Sequence, residues 1–361
     1  MLDLKDIVTE FAIEGNVEEI APLGAGHIND SYMVRTQGET PDYVLQRINH
    51  HIFTDVNALQ NNIKRVTDHI RQKLLQKNEP DVSRKVLSIT PTRREALYYR
   101  SFDGSYWRMM PYIANSKSVD DISPELAFLA GRAFGNFQAM LADLPAPPLV
   151  ETIPNFHNME TRLVTFRAAV KNDPVERLKK VEDIVADIEK RADKMCKAEL
   201  LHREGKLPKR INHCDTKVNN ILFDKDTNEV LCVVDLDTVM PGFVASDFGD
   251  FMRTGANNGK EDDENLENVF FRMDIFEAYT KGYLQTVQDS LTPFEVMLLP
   301  FGAKLLTYMQ TVRFITDYLN GDTYYKVKHP EHNLQRTKAQ LKLLHSIEDS
   351  YTKMLEFISH L

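Results

Sequence analysis

The chain has 361 residues, 42% of them apolar and 27% charged, which is the make-up of a folded globular protein large enough for two domains. Its formal net charge of -9 excludes a nucleic-acid binder that works through a broad basic face, though local groups can still hold an anionic ligand. No apolar run reaches the ~20 residues of a membrane helix. The start, MLDLKDIVTEF, carries no secretory signal, and the three cysteines (Cys196, Cys214, Cys232) form no CxxC pair. Free thiols in a cytoplasmic setting are therefore expected, with no disulfide framework and no structural zinc.

In chain order, Val17–Leu23, Ser31–Thr36 and Tyr43–Ile48 read as strands from their alternation. An amphipathic helix is expected from Thr54 to Gln76, with Val56, Leu59, Ile63, Val66, Ile70 and Leu74 at helical spacing and Thr54 or Asp55 as cap. Strands are expected again at Lys85–Thr90, Ala96–Phe102 and Tyr106–Tyr112, with Asp103-Gly104 as a hairpin turn. Beyond Ile113 the pattern turns helical. Ser123-Pro124 starts a helix whose buried face carries Phe128, Phe134, Phe137 and Leu141, and Pro145–Pro148 ends it. A charged helical segment is expected from Pro174 to His202, closing near Gly205. From Met273 onward the chain reads as helices broken at Pro293, Pro300, Gly321 and Pro330. The fold class is α+β: a small β-rich N-terminal part with one main helix, and a larger, mainly helical C-terminal part. Small-ligand sites favour such domain junctions.

The chemistry concentrates in INHCDTKVNNILFDKDTNEVLCVVDLDTVMPGFVASDFGD, residues 211–250. Asp215 is followed by Asn220, a short apolar strand (Ile221–Phe223), a polar turn (Lys225–Glu229) and a second apolar strand running into Asp235. Phosphoryl transfer needs these groups and little else. A carboxylate at Asp215 can accept a hydroxyl proton, and Asn220 and Asp235 supply hard oxygen ligands suited to Mg2+. The hairpin is expected to bring Asp235 back beside the Asp215–Asn220 loop. The spacing from Asp215 to Asn220 is that of a protein-kinase catalytic loop. An ordinary polar loop and hairpin is the competing reading, and the strand ending in Asp235 weighs against it. His213, opening the loop, reads as a structural hydrogen-bonding group.

HCDTKVNNILFD, VVDLDTVMPG and DFGD resemble the motif pair of the aminoglycoside phosphotransferase/choline kinase-like superfamily. LGAGHINDSY (Leu23–Tyr32), YVLQRIN (Tyr43–Asn49) and RFITDYLNGDTYYKVKHPEHNLQRT (Arg313–Thr337) resemble its N-acetylhexosamine 1-kinase branch, in order along nearly the whole chain. The resemblance implies a bilobal protein-kinase-like fold: residues 1–110 as nucleotide-binding lobe, 111–115 as hinge and 116–361 as catalytic and substrate-binding lobe. It implies ATP and Mg2+, with transfer to the anomeric hydroxyl of a small sugar; neither a nucleic-acid nor a membrane partner is expected, and a monomer suffices. Asp215 becomes the catalytic base and a substrate contact, and Asn220 and Asp235 the metal ligands. Asp237, Arg313, Tyr324 and His27 become sugar contacts. Gly24, Gly26 and Asn29 fall in the glycine-rich loop, and Pro111, Tyr112 and Ile113 meet adenine. His213 and Asp247 support the catalytic loop.

The sequence departs from a protein kinase at position 46, where lysine is replaced by Gln46, and in the helix over 54–76, which has no glutamate. Gln46, Arg47 and the loop backbone are expected to hold the phosphates instead. Leu236-Asp237 follows Asp235 where a protein kinase has Phe-Gly. Two alternatives stay open: a kinase for choline, homoserine, methylthioribose or an aminoglycoside, and a non-catalytic nucleotide-binding regulator. Arg313 could equally pair with Asp317 one turn on, Tyr324 could be a core tyrosine, and the acidic run Glu261–Glu264 could be a solvated loop. Trp107, the only tryptophan, reads as core.

Overall fold

The structure is a computed structural model that describes residues 3–24 and 28–361. The chain divides into two compact units. One comprises Met1–Ser118, Met140–Pro154 and Asn220–Met240; the other comprises Val119–Ala139, Asn155–Asn219 and Pro241–Leu361.

The first unit opens with helix α1 (Leu4–Thr9), capped by the Asp3 side chain. Strands β1 (Val17–Pro22), β2 (Asp30–Thr36) and β3 (Tyr43–Ile48) follow, as their alternation predicts. Helix α2 (Val56–Gln76) is capped by Asp55, which accepts the Ala58 N–H at 2.9 Å. The short helix α3 (Val82–Lys85) precedes β4 (Tyr99–Arg100), β5 (Tyr106–Pro111) and β6 (Ser116–Lys117). The main sheet is antiparallel in the order β1-β2-β3-β5-β4. One face packs Val34, Tyr43, Leu45, Trp107 and Met109 against Ile7, Val8 and Phe11, so Trp107 is core. Gly104 (φ +84°) makes the turn into β5, as expected.

Two expected strands are corrected. Lys85–Thr90 is not a strand: α3 ends there, and only Thr90 bridges to Met109. Ala96–Phe102 shrinks to Tyr99–Arg100 because Thr92 turns the chain first, its hydroxyl accepting the N–H groups of Arg94 and Ala96. A second, three-stranded sheet joins β6 to the hairpin of β8 (Ile221–Asp224) and β9 (Val230–Val233), numbered after β7 (Arg210–Asn212) of the other unit.

The second unit is helical: α4 (Pro124–Leu141), α5 (Met159–Asn172), α6 (Glu182–Glu189), α7 (Ala192–Met195), α8 (Lys197–Arg203), α9 (Val244–Gly255), α10 (Met273–Val287), α11 (Pro293–Leu319) and α12 (His332–Ser359). The strand β7 pairs with β10 (Met240–Gly242). The long helix expected over 174–202 is three short ones, because Glu176 adopts φ +56° and Asp173 folds back on the N–H groups of Arg177 and Leu178. Pro300 does not break its helix; α11 runs through it, buried on most sides. Its start is a capping box between Thr292 and Glu295. Among the described residues no helix is long and apolar enough to cross a membrane.

Candidate active site

In the first unit, alternation along β3 and β5 puts Gln46 opposite Arg108 on the sheet face away from α1. The Gln46 amide donates to Ser31 Oγ at 2.9 Å and accepts from Arg108 Nε at 2.9 Å. The Arg108 guanidinium forks onto both carboxylate oxygens of Asp237, with Nη2 to Oδ2 at 2.9 Å. Asn29 Nδ2 donates to the same Oδ2 at 2.6 Å, and Asn29 Oδ1 accepts the Asn49 N–H. Arg108 and Asp237 are 2% and 3% exposed, so this is a buried ion pair with its polar atoms partnered. A carboxylate accepts about four hydrogen bonds. The described residues make three of these, two on Oδ2 and one on Oδ1. Arg47, by the same alternation, lies on the opposite face with Trp107, and its side chain is exposed. The sheet therefore does not bring Gln46 and Arg47 together.

The hairpin places the two expected metal ligands. Ile221 pairs with Val233, and the Val234 N–H donates to the Asn220 carbonyl at 2.9 Å. Asn220 and Asp235 thus flank the open end of one hairpin. Asp235 is exposed and adopts φ +60°, a left-handed conformation that aspartate tolerates. An amide oxygen and a carboxylate form a hard-oxygen pair that fits Mg2+, which fills most of its shell with water and phosphate.

In the second unit, residues 213–216 are held by the first turns of α9. Asp247 accepts the His213 N–H at 2.6 Å and the Cys214 N–H at 2.7 Å, while Asp250 accepts the Thr216 N–H at 3.0 Å. The Thr216 hydroxyl donates to the Asp247 carbonyl. Cys214 is left-handed at φ +63°, a strained bend that these bonds maintain. Burial pushes the Asp247 carboxyl up to about 6. His213 packs edge-on to Phe134 and Phe137, and its Nδ1 accepts the Asp215 N–H at 3.3 Å.

Asp215 stays half-buried and pairs with Lys217 Nζ at 2.9 Å. Burial would push its carboxyl up, but the Lys217 ammonium, helped by His213 and Arg253, leaves it below the usual carboxylate range. Lys217 and Asp250 were not singled out in the sequence. The i, i+3 repeat of Asp247 and Asp250 on one helix face, and the position of Lys217 two residues after Asp215, were the available signals.

Arg313 lies on α11, 5.4 Å from the ring of Phe156, 5.5 Å from Tyr325 and 5.9 Å from Tyr324, and it donates to Gln310. It does not pair with Asp317. That carboxylate accepts the N–H groups of Thr323, Tyr324 and Tyr325 and the Asn333 amide, so it shapes the turn that presents the two tyrosines. Tyr324 is 60% exposed and is not a core residue. Arg162 donates twice to the Phe156 carbonyl. Burial, then the like charge of Arg313, pushes Arg162 down to about 10. Neither arginine forms an ion pair among the described residues. His157, pushed down to about 4 by burial against the opposing pull of Asp250, stands neutral beside them. The acids Glu261 and Asp262 are engaged by Arg253 and by Lys328 and His332.

Gly24 has φ +67° with open space where a Cβ would stand. Gly26 and His27 lie outside the described residues. Pro111 pairs with Tyr43, Tyr112 N–H donates to the Asp42 carbonyl, and the Ile113 carbonyl accepts the Ser116 hydroxyl.

The sequence profile of the phosphotransferase enzyme family matches residues 19–284, well over half of the chain. The chain belongs to this family. Solved structures of similar fold include three that span most of this phosphotransferase. An aminoglycoside phosphotransferase from Alicyclobacillus acidocaldarius has TM-score 0.62 and 12% identity over 100% of this chain and 98% of its own. The ethanolamine kinase of Plasmodium vivax has TM-score 0.55 and 13% identity over 90% and 82%. The choline kinase of Cryptosporidium parvum has TM-score 0.55 and 13% identity over 95% and 93%. At these identities the likeness is one of fold, and it agrees with the α+β architecture expected from the sequence.

Proposed function

We propose that this phosphotransferase is an ATP- and Mg2+-dependent kinase whose acceptor is the anomeric hydroxyl of an N-acetylhexosamine, N-acetylglucosamine or N-acetylgalactosamine. The carrying observation is Asp215: a half-buried carboxylate, held anionic by Lys217, on a loop fixed by two buried aspartates of α9. Asp215 orients the hydroxyl and accepts its proton. The sugar oxygen forms the new P–O bond to the γ-phosphorus as the bond to the β-γ bridging oxygen breaks, and the products are the 1-phosphate and ADP. Asn220 and Asp235 would hold the metal, which when bound neutralises charge on the phosphates. Residues 1–110 serve the nucleotide, with Gly24, Gly26, Asn29 and Gln46 toward the phosphates and Pro111–Ile113 toward adenine. A spectinomycin phosphotransferase of similar fold, TM-score 0.55 at 11% identity over 98% of this chain and 99% of its own, has been seen with ADP and spectinomycin.

Arg313, Tyr324, Asp237 and His27 are the proposed sugar contacts, with arginine for hydroxyls and an exposed tyrosine ring for a sugar face. A choline, ethanolamine or aminoglycoside acceptor is disfavoured by one specific observation. Among the described residues Arg313 and Arg162 are cations without acidic partners, and they would repel a second cation. The nearby acids that could have formed a cationic subsite are already paired.

The test is ADP release with N-acetylglucosamine, N-acetylgalactosamine, their non-acetylated parents, choline and kanamycin. Turnover on the acetylated sugars is expected. Asp215→Asn should lower kcat at least a thousandfold with an unchanged melting temperature. Turnover confined to choline or kanamycin sinks the sugar reading, and a fully active Asp215→Asn sinks the assignment of the base.

A further inference from the structure

In a protein kinase, the lysine of the strand equivalent to β3 pairs with a glutamate of the following helix, and the pair must assemble for catalysis. Here the strand offers Gln46, and α2 contains no glutamate. The structure supplies a cation from the neighbouring strand instead. Arg108 stands directly across from Gln46 and uses three of its five N–H donors on Gln46 and Asp237. Its acid lies not on the helix but 129 residues later, two positions beyond Asp235. That stretch is a single tight turn: Asp235 at φ +60°, then a 3-10 segment over Leu236–Thr238. The sheet side grips it through Arg108 and Asn29. A second grip comes from Thr152, whose hydroxyl donates to the Asp237 carbonyl at 2.8 Å. At 2% exposure Arg108 is sealed from any ligand phosphate.

We propose that Arg108 is a positioning residue: its fork onto Asp237 fixes the turn that presents Asp235, so that Asp235 and Asn220 hold a metal-nucleotide without an acid on helix α2, which reaches the turn through the Asn62 amide donating to the Val239 carbonyl at 3.2 Å. This inference rests on the reading of Asp235 as a metal ligand. A guanidinium fork suits the task because two parallel hydrogen bonds fix the carboxylate plane as well as its distance, which one ammonium cannot do.

Three variants test it: Arg108→Met, Arg108→Lys and the double change Arg108→Met with Asp237→Leu. The single methionine leaves Asp237 buried and unpaired, so it should unfold at clearly lower urea. The double change removes both charges and should return the midpoint close to the parent value. The deciding readout is binding of Mn2+ to the ADP-loaded protein, followed by electron paramagnetic resonance, beside ADP affinity in EDTA by calorimetry. Mn2+ should bind at least tenfold more weakly to Arg108→Met and to the double variant, and to an intermediate degree to Arg108→Lys. ADP without metal should bind within about twofold throughout. A double variant with the parent midpoint and the parent Mn2+ affinity overturns the inference while leaving Asp235 a ligand. A parent protein that binds no Mn2+ with ADP overturns the metal reading, and the inference with it.

Discussion

Glu199 shows what a single unbalanced charge costs this molecule. It is 6% exposed, one oxygen accepts the Met159 N–H at 2.6 Å, and the other has no partner among the described residues. Burial pushes its carboxyl up to about 7. A raised carboxyl contributes stability only while the pH lies below its unfolded value; the contribution is lost as pH rises through the folded one. At ~1.4 kcal/mol per unit, the ionised group withholds about 3 kcal/mol above pH 7. Glu199→Gln should therefore raise the urea midpoint at pH 8 and change it little at pH 5. Asp215 has the opposite sign. Its lowered carboxyl stays charged down through the ordinary carboxylate range, so it adds no acid limb to the pH–rate profile above about pH 4. Arg47, on the sheet face opposite Gln46, predicts an Arg47→Ala enzyme with the parent KM for ATP; a tenfold rise would show that the strand presents it to the nucleotide. The motif residues 213–250 were legible because phosphoryl transfer demands particular oxygen donors at particular spacings. Arg108 was not, because nothing local marks a strand arginine whose acid lies 129 residues away.

Among the elements, close backbone approach explains what residue patterns could not. A Cβ on Gly302 would stand 1.8 Å from the Ala245 carbonyl, and one on Gly249 would stand 2.1 Å from the Gly302 carbonyl. These two glycines let α9 lie against α11, and α9 carries Asp247 and Asp250. Gly302→Ala should destabilise the protein by about 3 kcal/mol and lower activity by loosening the loop that holds Asp215; thermal unfolding and turnover check it. The same packing carries α11 through Pro300, where an isolated helix would stop. The turn over 323–325 depends on Asp317 in a comparable way. Asp317→Ala removes the acceptor of three N–H groups, and we expect a loss of about 3 kcal/mol together with a KM for the proposed sugar acceptor raised tenfold or more. Helices with a cap and a clean apolar stripe, such as α2, were readable from sequence. The breaks between α5 and α8 were not, because they follow from side chains such as Asp173 that bond to their own backbone.

At the scale of the whole molecule, the change from strands to helices after Ile113 was visible in the sequence, and the order of elements in the structure agrees with it. Less visible was that one unit gathers three separate stretches of chain. That has a consequence during synthesis. When β5 leaves the ribosome, Arg108 has no acid, and β6 has no β8 to pair with. The partner Asp237 is translated 129 residues later, on the order of ten seconds at ordinary elongation rates. Until then the nascent sheet carries a cation facing an incomplete interior. A chain arrested at Ser118 should remain protease-sensitive, and protection of its first hundred residues should begin only after the β8–β9 hairpin has emerged.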